Sequence, residues 1–391
     1  MIGHGPALTH LADFVNGYGF TGDDLDGDGI PVVRIQHLLD PSVEMDRTDL
    51  DVPQVAIQPG DLVFSWSATL AARIWDREPA LLNQHLFRVD PHSGVDRRWL
   101  KYVLDVAVDA LSGHMHGSAM THITRDMMRR VRVPFRSLQM QRAIADYLDT
   151  ETARIDALIA KKRRMIGLLH EQAQSALLDA VGDWRTQPSR TLRQYGTNVL
   201  TGPFGTVLTA SEYVEGGVPL VNPTHIRSGE IVPEPEVTVP EQVAARISRH
   251  RLSVGDVVMG RKGDVGRSAI ISEREDGWVC GSDSIAIRCG HDLEPEYLAT
   301  TLHIDLYRQQ LARSSSGAMV LNVNEGTLLE FSLPDLDRAE QLAAIGSSRR
   351  ALSFQNGLVG RLTRQLDLLA EHRQALITAA VTGELDVSKV A

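Results

Sequence analysis

Residues 133–149, VPFRSLQMQRAIADYLD, and residues 333–349, LPDLDRAEQLAAIGSSR, decide the architecture. They lie two hundred positions apart. That offset holds for Gly117 and Gly317, Ile123 and Val323, Met128 and Leu328, Pro134 and Pro334, Leu169 and Leu369, Glu171 and Glu371, and Val181 and Val381. An ordered run of matches at one spacing marks an internal repeat. Upstream the repeat continues with a growing offset: Gly17-Tyr18-Gly19-Phe20 answers to Gly202-Pro203-Phe204-Gly205, Ile30-Pro31-Val32-Val33 to Val218-Pro219-Leu220-Val221, and Pro59-Gly60-Asp61 to Val254-Gly255-Asp256. Insertions are therefore confined to the first part of each copy.

The two parts of a copy differ in pattern. Val52, Val55 and Ile57 with Leu62 to Phe64, and Val254, Val257 and Met259 with Ile285 to Ile287, are short β-forming runs bounded by Gly, Pro and Asp. After each proline the period becomes helical. Leu148, Ile155, Leu158, Met165 and Leu169 step by threes, fours and sevens, as do Leu358, Leu362, Leu369 and Leu376. A continuous helix over 144–181 would span about 55 Å at about 1.5 Å per residue. Two such stripes find their partners most economically in each other. The expected fold is α+β: two tandem domains, 1–134 and 191–334, joined by helical regions at 135–190 and 335–391 that pack as an antiparallel coiled coil in a pseudo-twofold repeat.

The composition is that of an ordinary globular chain, 43% apolar and 23% charged over 391 residues. With only Cys280 and Cys289, neither a disulfide framework nor a zinc site is indicated. The opening residues give no secretory signal and no run of eighteen apolar residues occurs, so no membrane span and a cytoplasmic location are expected. The net charge of −10 excludes nucleic-acid binding by bulk positive charge. Each globular part holds twelve basic and eighteen acidic residues. Any attraction to DNA must come from local patches or from partner subunits.

Four fragments imitate catalytic or ligand-binding motifs. Asn222-Pro223-Thr224-His225 begins like the loop of amino-directed DNA methyltransferases but lacks its second proline and its aromatic. Asp24-Leu25-Asp26-Gly27-Asp28-Gly29 opens like a calcium loop, with Ile35 where a bidentate glutamate is required. His85, His114, His116 and His122 lack a metal-ligand spacing, and Gly263 to Gly266 lacks the ending of a phosphate loop. No catalytic residue and no metal site is assigned.

Candidate DNA contacts come instead from polar residues that differ between matched places. After the Gly-Asp turn the first copy carries Ser65, Trp66, Ser67 and Arg73, with Gln84 and His85 beyond, and the second carries Arg261, Lys262 and Arg267. A second variable patch precedes each proline: His114, His116, Ser118, Thr121, His122, Thr124 and Arg125 against Arg313, Ser314, Ser315, Ser316, Asn322 and Asn324. Arginine reads a guanine edge in two places at once, whereas hydroxyls and amides read other edges or hold phosphates. Unlike side chains on matched backbones suit recognition of two different short sequences. The run Lys161-Lys162-Arg163-Arg164 is a solvated helix face or a backbone or subunit contact.

Over nearly its whole length the sequence resembles the specificity subunits of type I restriction-modification enzymes. The resemblance rests on Val133-Pro134 followed by Gln139, Gln141, Ile144, Ala145, Leu148 and Asp149, on residues 155–159 (IDALI), and on the tail RQALITAAVTGELDV at 373–387. It implies two target-recognition domains, each reading half of a split double-stranded DNA site, with the coiled coil as a ruler for the spacer. It also implies two docked modification subunits, which bind S-adenosylmethionine, and translocating, ATP-dependent nuclease subunits; this chain itself would hold no cofactor. Ile155, Leu158, Leu169, Leu369, Leu376 and Val381 are the expected docking residues. In the second helix Gly346-Ser347-Ser348 stands for the Tyr-Leu-Asp of the first, which predicts a kink or fray there. A self-sufficient methyltransferase or nuclease, and a scaffold whose globular parts bind protein, remain as alternatives.

Overall fold

A computed structural model describes residues 4–112, 123–227, 229–263, 265–313 and 323–389. The chain divides into two compact units, residues 1–162 with 363–391 and residues 163–362. Each unit holds one globular domain, here called a reader, and one end of each of two long helices.

In the first unit, strands β1 (Ala12–Asn16), β3 (Leu62–Ser65), β4 (Ala71–Ile74) and β6 (Leu86–Pro91) form an antiparallel sheet in the order β1-β6-β3-β4. A second sheet is built on β2 (Ile30–Val33) and β5 (Ala80–Leu82), which run parallel. The turn into β3 is set by Gly60, whose φ of +97° suits glycine, and by Asp61, whose carboxylate accepts from the Gln58 N–H at 2.8 Å. Every residue of β3 is buried, since its two faces meet different cores. Leu62 and Phe64 join Trp99 of α1 (Arg97–Ser112), whereas Val63 faces Val33, Leu82 and Trp75. The run Val52 to Ile57 is only partly strand; Pro53–Val55 form a 3-10 turn.

The second unit repeats this plan. Strands β7 (Asn198–Thr201), β9 (Val257–Gly260), β10 (Ser268–Ile270) and β12 (Ser284–Arg288) are ordered β7-β12-β9-β10, and β8 (Val218–Val221) pairs in parallel with β11 (Val279–Cys280). Gly255 takes φ +88°, and Asp256 accepts from the Ser253 N–H at 2.9 Å. Val257 and Met259 face one core and Val258 another.

The two long helices are α3 (Leu138–Val181) and α7 (Arg338–Thr382), and the shorter α2 (Arg125–Arg130), α4 (Pro295–Leu302), α5 (Asp305–Arg313) and α6 (Glu325–Leu329) belong to the readers. Within the first unit they run antiparallel, as Arg373 bonds Asp156 at 3.0 Å and Lys162 bonds Gln365 at 2.6 Å. There Ile144, Ala145 and Leu148 share the core of reader 1 with Ile377, Ala380 and Val381. In the second unit Ala344 and Ile345 share the core of reader 2 with Leu177 and Val181. After α7, Gly383 (φ +86°) and Leu385 both donate to Ala379 O, and Leu385 and Val387 fold back onto the first core. The tail is therefore part of a core.

One glutamine fastens each reader to its helix. Gln141 is fully buried; its Oε1 accepts from the Asp96 N–H at 2.7 Å, and its Nε2 donates to Gly94 O at 3.1 Å and Arg136 O at 2.8 Å. Gln341 repeats the bracket with Glu294 N at 2.9 Å, Asp292 O at 2.8 Å and Leu336 O at 2.9 Å. The bracket fixes the register at two hundred, which matches Tyr147-Leu148-Asp149 with Ser347-Ser348-Arg349, one residue later than the sequence reading placed it. The expected fray is absent, as helical structure is continuous over Arg338–Thr382. Burial of Ala344 and Ile345 outweighs the poor propensities of Gly346 and the serines.

Candidate nucleic-acid interface

Strand register gives the residue-by-residue match between readers. Leu62 pairs with Val89 as Val257 pairs with Ile287, and Ser65 pairs with Leu86 as Gly260 pairs with Ser284. Trp66 therefore occupies the place of Arg261, Ser67 that of Lys262, and His85 that of Asp283. The match shifts one expectation: Arg267 stands where reader 1 has Ala71, and Arg73 stands where reader 2 has Ala269. The two arginines are not equivalents. Arg73 leaves the face of Ala72 and donates from Nε to Leu38 O at 2.8 Å, which ties it to the short helix Ile35–Leu39.

The two variable patches meet in each reader. The Trp66 N–H donates to His85 O at 3.3 Å, and Trp66 O accepts from the Ile123 N–H at 2.9 Å. In reader 2 the Arg261 N–H donates to Asp283 O at 3.0 Å, and Arg261 O accepts from the Val323 N–H at 2.9 Å. Ile123 and Val323 are buried and lie within the second patch. His114, His116, Ser118, Thr121, His122, Ser315 and Asn322 lie outside the described residues, as does the side chain of Arg125. Thr124 and Asn324 are helix caps: Thr124 Oγ1 accepts from the Met127 N–H at 3.3 Å, and Asn324 Oδ1 from the Thr327 N–H at 2.9 Å.

The glycine-rich turns complete the place. The Gly17 N–H donates to Leu86 O at 2.9 Å, and the Gly202 N–H donates to the equivalent Ser284 O at 3.0 Å. A Cβ on Gly17 would lie 2.1 Å from Asn83 O, and one on Gly202 would lie 1.8 Å from Gly281 O. Only glycine permits this approach. The turns stood in the sequence as repeat markers alone, and their place beside the strand ends had no local signal.

The contents differ. In reader 1 Trp66 is half-buried, with its ring 5.8 Å from His85 and 5.8 Å from Phe87, and Gln84 is exposed. In reader 2 the Arg261 guanidinium lies 6.0 Å from the Phe204 ring centroid, and Lys262 pairs with Asp283 at 2.9 Å, both half-exposed. Arg267 is half-buried and Arg313 is exposed at the end of α5 (Asp305–Arg313). One reader thus offers a largely aromatic and imidazole surface, the other a cationic one.

The family model for the type I restriction modification DNA specificity domain matches residues 12–166, which is reader 1 with the start of α3. The specificity subunit of the type I restriction enzyme EcoBI from Escherichia coli is 20% identical over 411 residues, covering 97% of this chain and 85% of that one. The StySPI specificity subunit from Salmonella potsdam is 26% identical over 210 residues, 52% of this chain and 43% of that one. Residues 12–166 match the type I restriction modification DNA specificity domain, and the chain is similar to specificity subunits over nearly its whole length. A chain in a solved structure of a type I restriction-modification system shares the fold, with a TM-score of 0.68 at 16% identity over 97% of both chains. Specificity subunits are the non-catalytic, DNA-recognising components of their enzymes.

The imitated motifs have structural roles in this chain. Asn222 to His225 form a turn in which the Asn222 N–H donates to the His225 ring at 3.3 Å, just as the Arg34 N–H donates to His37 Nδ1 at 2.9 Å. Both rings are buried. Asp24 accepts from the Thr21 N–H at 2.7 Å, closing a turn. Among the described residues no group of three or more His, Cys, Asp or Glu could hold a metal ion, and no helix is long and apolar enough to cross a membrane. Burial pushes the Cys280 and Cys289 thiols up to about 12, which removes thiolate chemistry at neutral pH.

The apolar helix stripe is only partly turned inward. Val381 lies in the core of the first unit, Ile155 is buried, and Leu169, Leu369 and Leu376 are half-buried; Leu158 alone of the expected docking residues is largely exposed. Exposed apolar surface on the helices includes Met165 of the stripe and, off it, Leu168, Leu342, Phe354 and Leu368. Leu168 and Leu368, two hundred apart, are 52% and 58% exposed. Leu168 and Leu368, apolar residues off the predicted stripe, were the sequence signal for this face.

Proposed function

We propose that this chain recognises a bipartite double-stranded DNA target, one short sequence per reader, and offers α3 and α7 to methyltransferase and restriction subunits. The observation that carries the reading is the strand-end site. The same backbone bonds hold it in both readers, yet it presents Trp66, Ser67 and His85 in one and Arg261, Lys262 and Asp283 in the other. Equal frames with unlike contents suit the reading of two unlike half-sites.

Arg261 contacts a guanine edge, and Lys262, released from Asp283, contacts phosphate. In reader 1 Trp66, Gln84 and His85 meet base edges or sugars. Since the chain carries a net charge of −10, partner subunits supply much of the attraction to the DNA backbone. S-adenosylmethionine belongs to the modification subunits, two of which dock on the helices at the faces marked by Leu168 and Leu368. Exposed leucines repeated at equivalent places suit two copies of one partner. ATP-dependent nuclease subunits complete the restriction form, and the assembly works in the cytoplasm, where host DNA is.

The test is to purify the chain with its modification subunits and map methylated adenines in host DNA. Two short specified sequences separated by a fixed unspecified spacer are expected. A continuous motif, or S-adenosylmethionine binding by the isolated chain, overturns the reading.

A further inference from the structure

We propose that Phe204 is a specificity-determining residue of reader 2, reading the base pair next to the one met by Arg261 through apolar contact. The inference rests on the DNA-recognition reading above and adds to it a residue of a different chemistry. Phe204 is 65% exposed, an unusual position for a large aromatic side chain. A scattered exposed phenylalanine needs no explanation, but the turn that carries this one is built to hold it out.

On one side Gly202 is pressed so closely against Gly281 O that no side chain fits, and Pro203 restricts the next backbone angle. On the other side Gly205 takes φ +65°, a conformation that L side chains rarely adopt. The backbone is thus held on both flanks of an exposed ring. The Gly202 N–H is bonded to Ser284 O, and the neighbouring Asp283 O holds the Arg261 N–H. The turn is thus sewn to the strand end that carries the cationic patch.

The 6.0 Å separation from the Arg261 guanidinium gives the ring a second role. A guanidinium resting on an aromatic face loses side-chain freedom before DNA arrives. The ring itself offers an apolar surface to a thymine methyl or to a base face. Reader 1 contains a counterpart. Register puts Gly19 in the slot of Phe204 and Trp66 in that of Arg261, so reader 1 has an aromatic on the strand as well as Tyr18 in its turn.

The test uses the chain with its modification subunits, first mapping the motif of the unaltered complex and of Arg261→Ala. Phe204→Ala is expected to lose about tenfold in discrimination at one base pair of the second half-site, adjacent to the pair relaxed by Arg261→Ala. Phe204→Tyr should retain it, and the first half-site should not change. Deoxyuridine in place of thymine at that pair separates the sources: equal loss with Phe204→Ala identifies the methyl, and no loss identifies the base face. A Phe204→Ala motif identical to that of the unaltered complex, or equal weakening at all positions, overturns the inference. An unaltered complex with no second half-site would instead sink the DNA reading itself.

Discussion

The joint between reader and helix and the strand-end site of each reader are both repeated, yet they repeat different things. At the joint the residue itself recurs: Gln141 and Gln341 make the same three bonds to equivalent backbone atoms. At the strand end only the backbone bonds recur, and Trp66 faces Arg261 across the repeat. The difference separates what holds the copies in one shape from what makes each copy individual. A third pattern lies between these two. Arg98 pairs with Asp146 at 2.7 Å and Asp149 at 2.9 Å, while the equivalent of Asp149, Arg349, makes a two-point contact with Glu296, the equivalent of Arg98. The same ion pair is present in both copies with its charges exchanged.

Breaking the joint should cost most. Gln141→Ala leaves the Asp96 N–H and two carbonyls without a partner in a closed site, and each such loss costs about 1–3 kcal/mol. A total of roughly 3 kcal/mol or more is expected in urea unfolding, and Gln341→Ala should match it in the other unit. Unequal losses would mean that the joints are alike in geometry but not in energy.

The exchanged ion pair ranks next. Arg349→Asp sets two carboxylates against each other at the second joint, and the stability lost should be less than half of that for the glutamine, because the pair is solvent-facing. The double change Glu296→Arg with Arg349→Asp installs the polarity of the first copy and should restore stability. If the double variant is no better than the single one, the exchange has no energetic content.

The smallest effect is a gain. Ser348 takes the place of buried Leu148, and its Oγ is buried with no hydrogen-bond partner among the described residues. Ser348→Ala removes that unpaired hydroxyl and should raise stability by about 1 kcal/mol, read as an upward shift of the thermal midpoint. No change would place a bound water at the hydroxyl.

Much of the frame was legible in the sequence, and the reasons are local. A glycine before an aspartate opens β3 and β9 because positive φ and an aspartate-closed turn are encoded in two residues. The fixed offset of two hundred marked α3 and α7 because helices that pack along their length tolerate no insertion. Gln141 stood in the motif, but its three backbone partners come from two separate segments and left no pattern. The slip by which Arg267 was set beside Arg73 arose where loops of unequal length interrupt the offset; only strand pairing restores the register. Helical periodicity put Ile155 and Leu169 on one apolar stripe and Leu369 and Leu376 on another. It carried no information on whether the chain or a partner covers a stripe, and Val381, an expected docking residue, proved to be core.

The central claim is that the two readers are interchangeable frames with separate contents. The most direct measurement replaces residues 191–334 with a second copy of residues 1–134, adds Arg349→Asp so that the incoming Arg98 meets a carboxylate, and maps the adenines methylated with the partner subunits. Two half-sites of identical sequence, both matching the original first half, are the expected result. A motif that keeps the original second half, or a continuous one, would contradict the account.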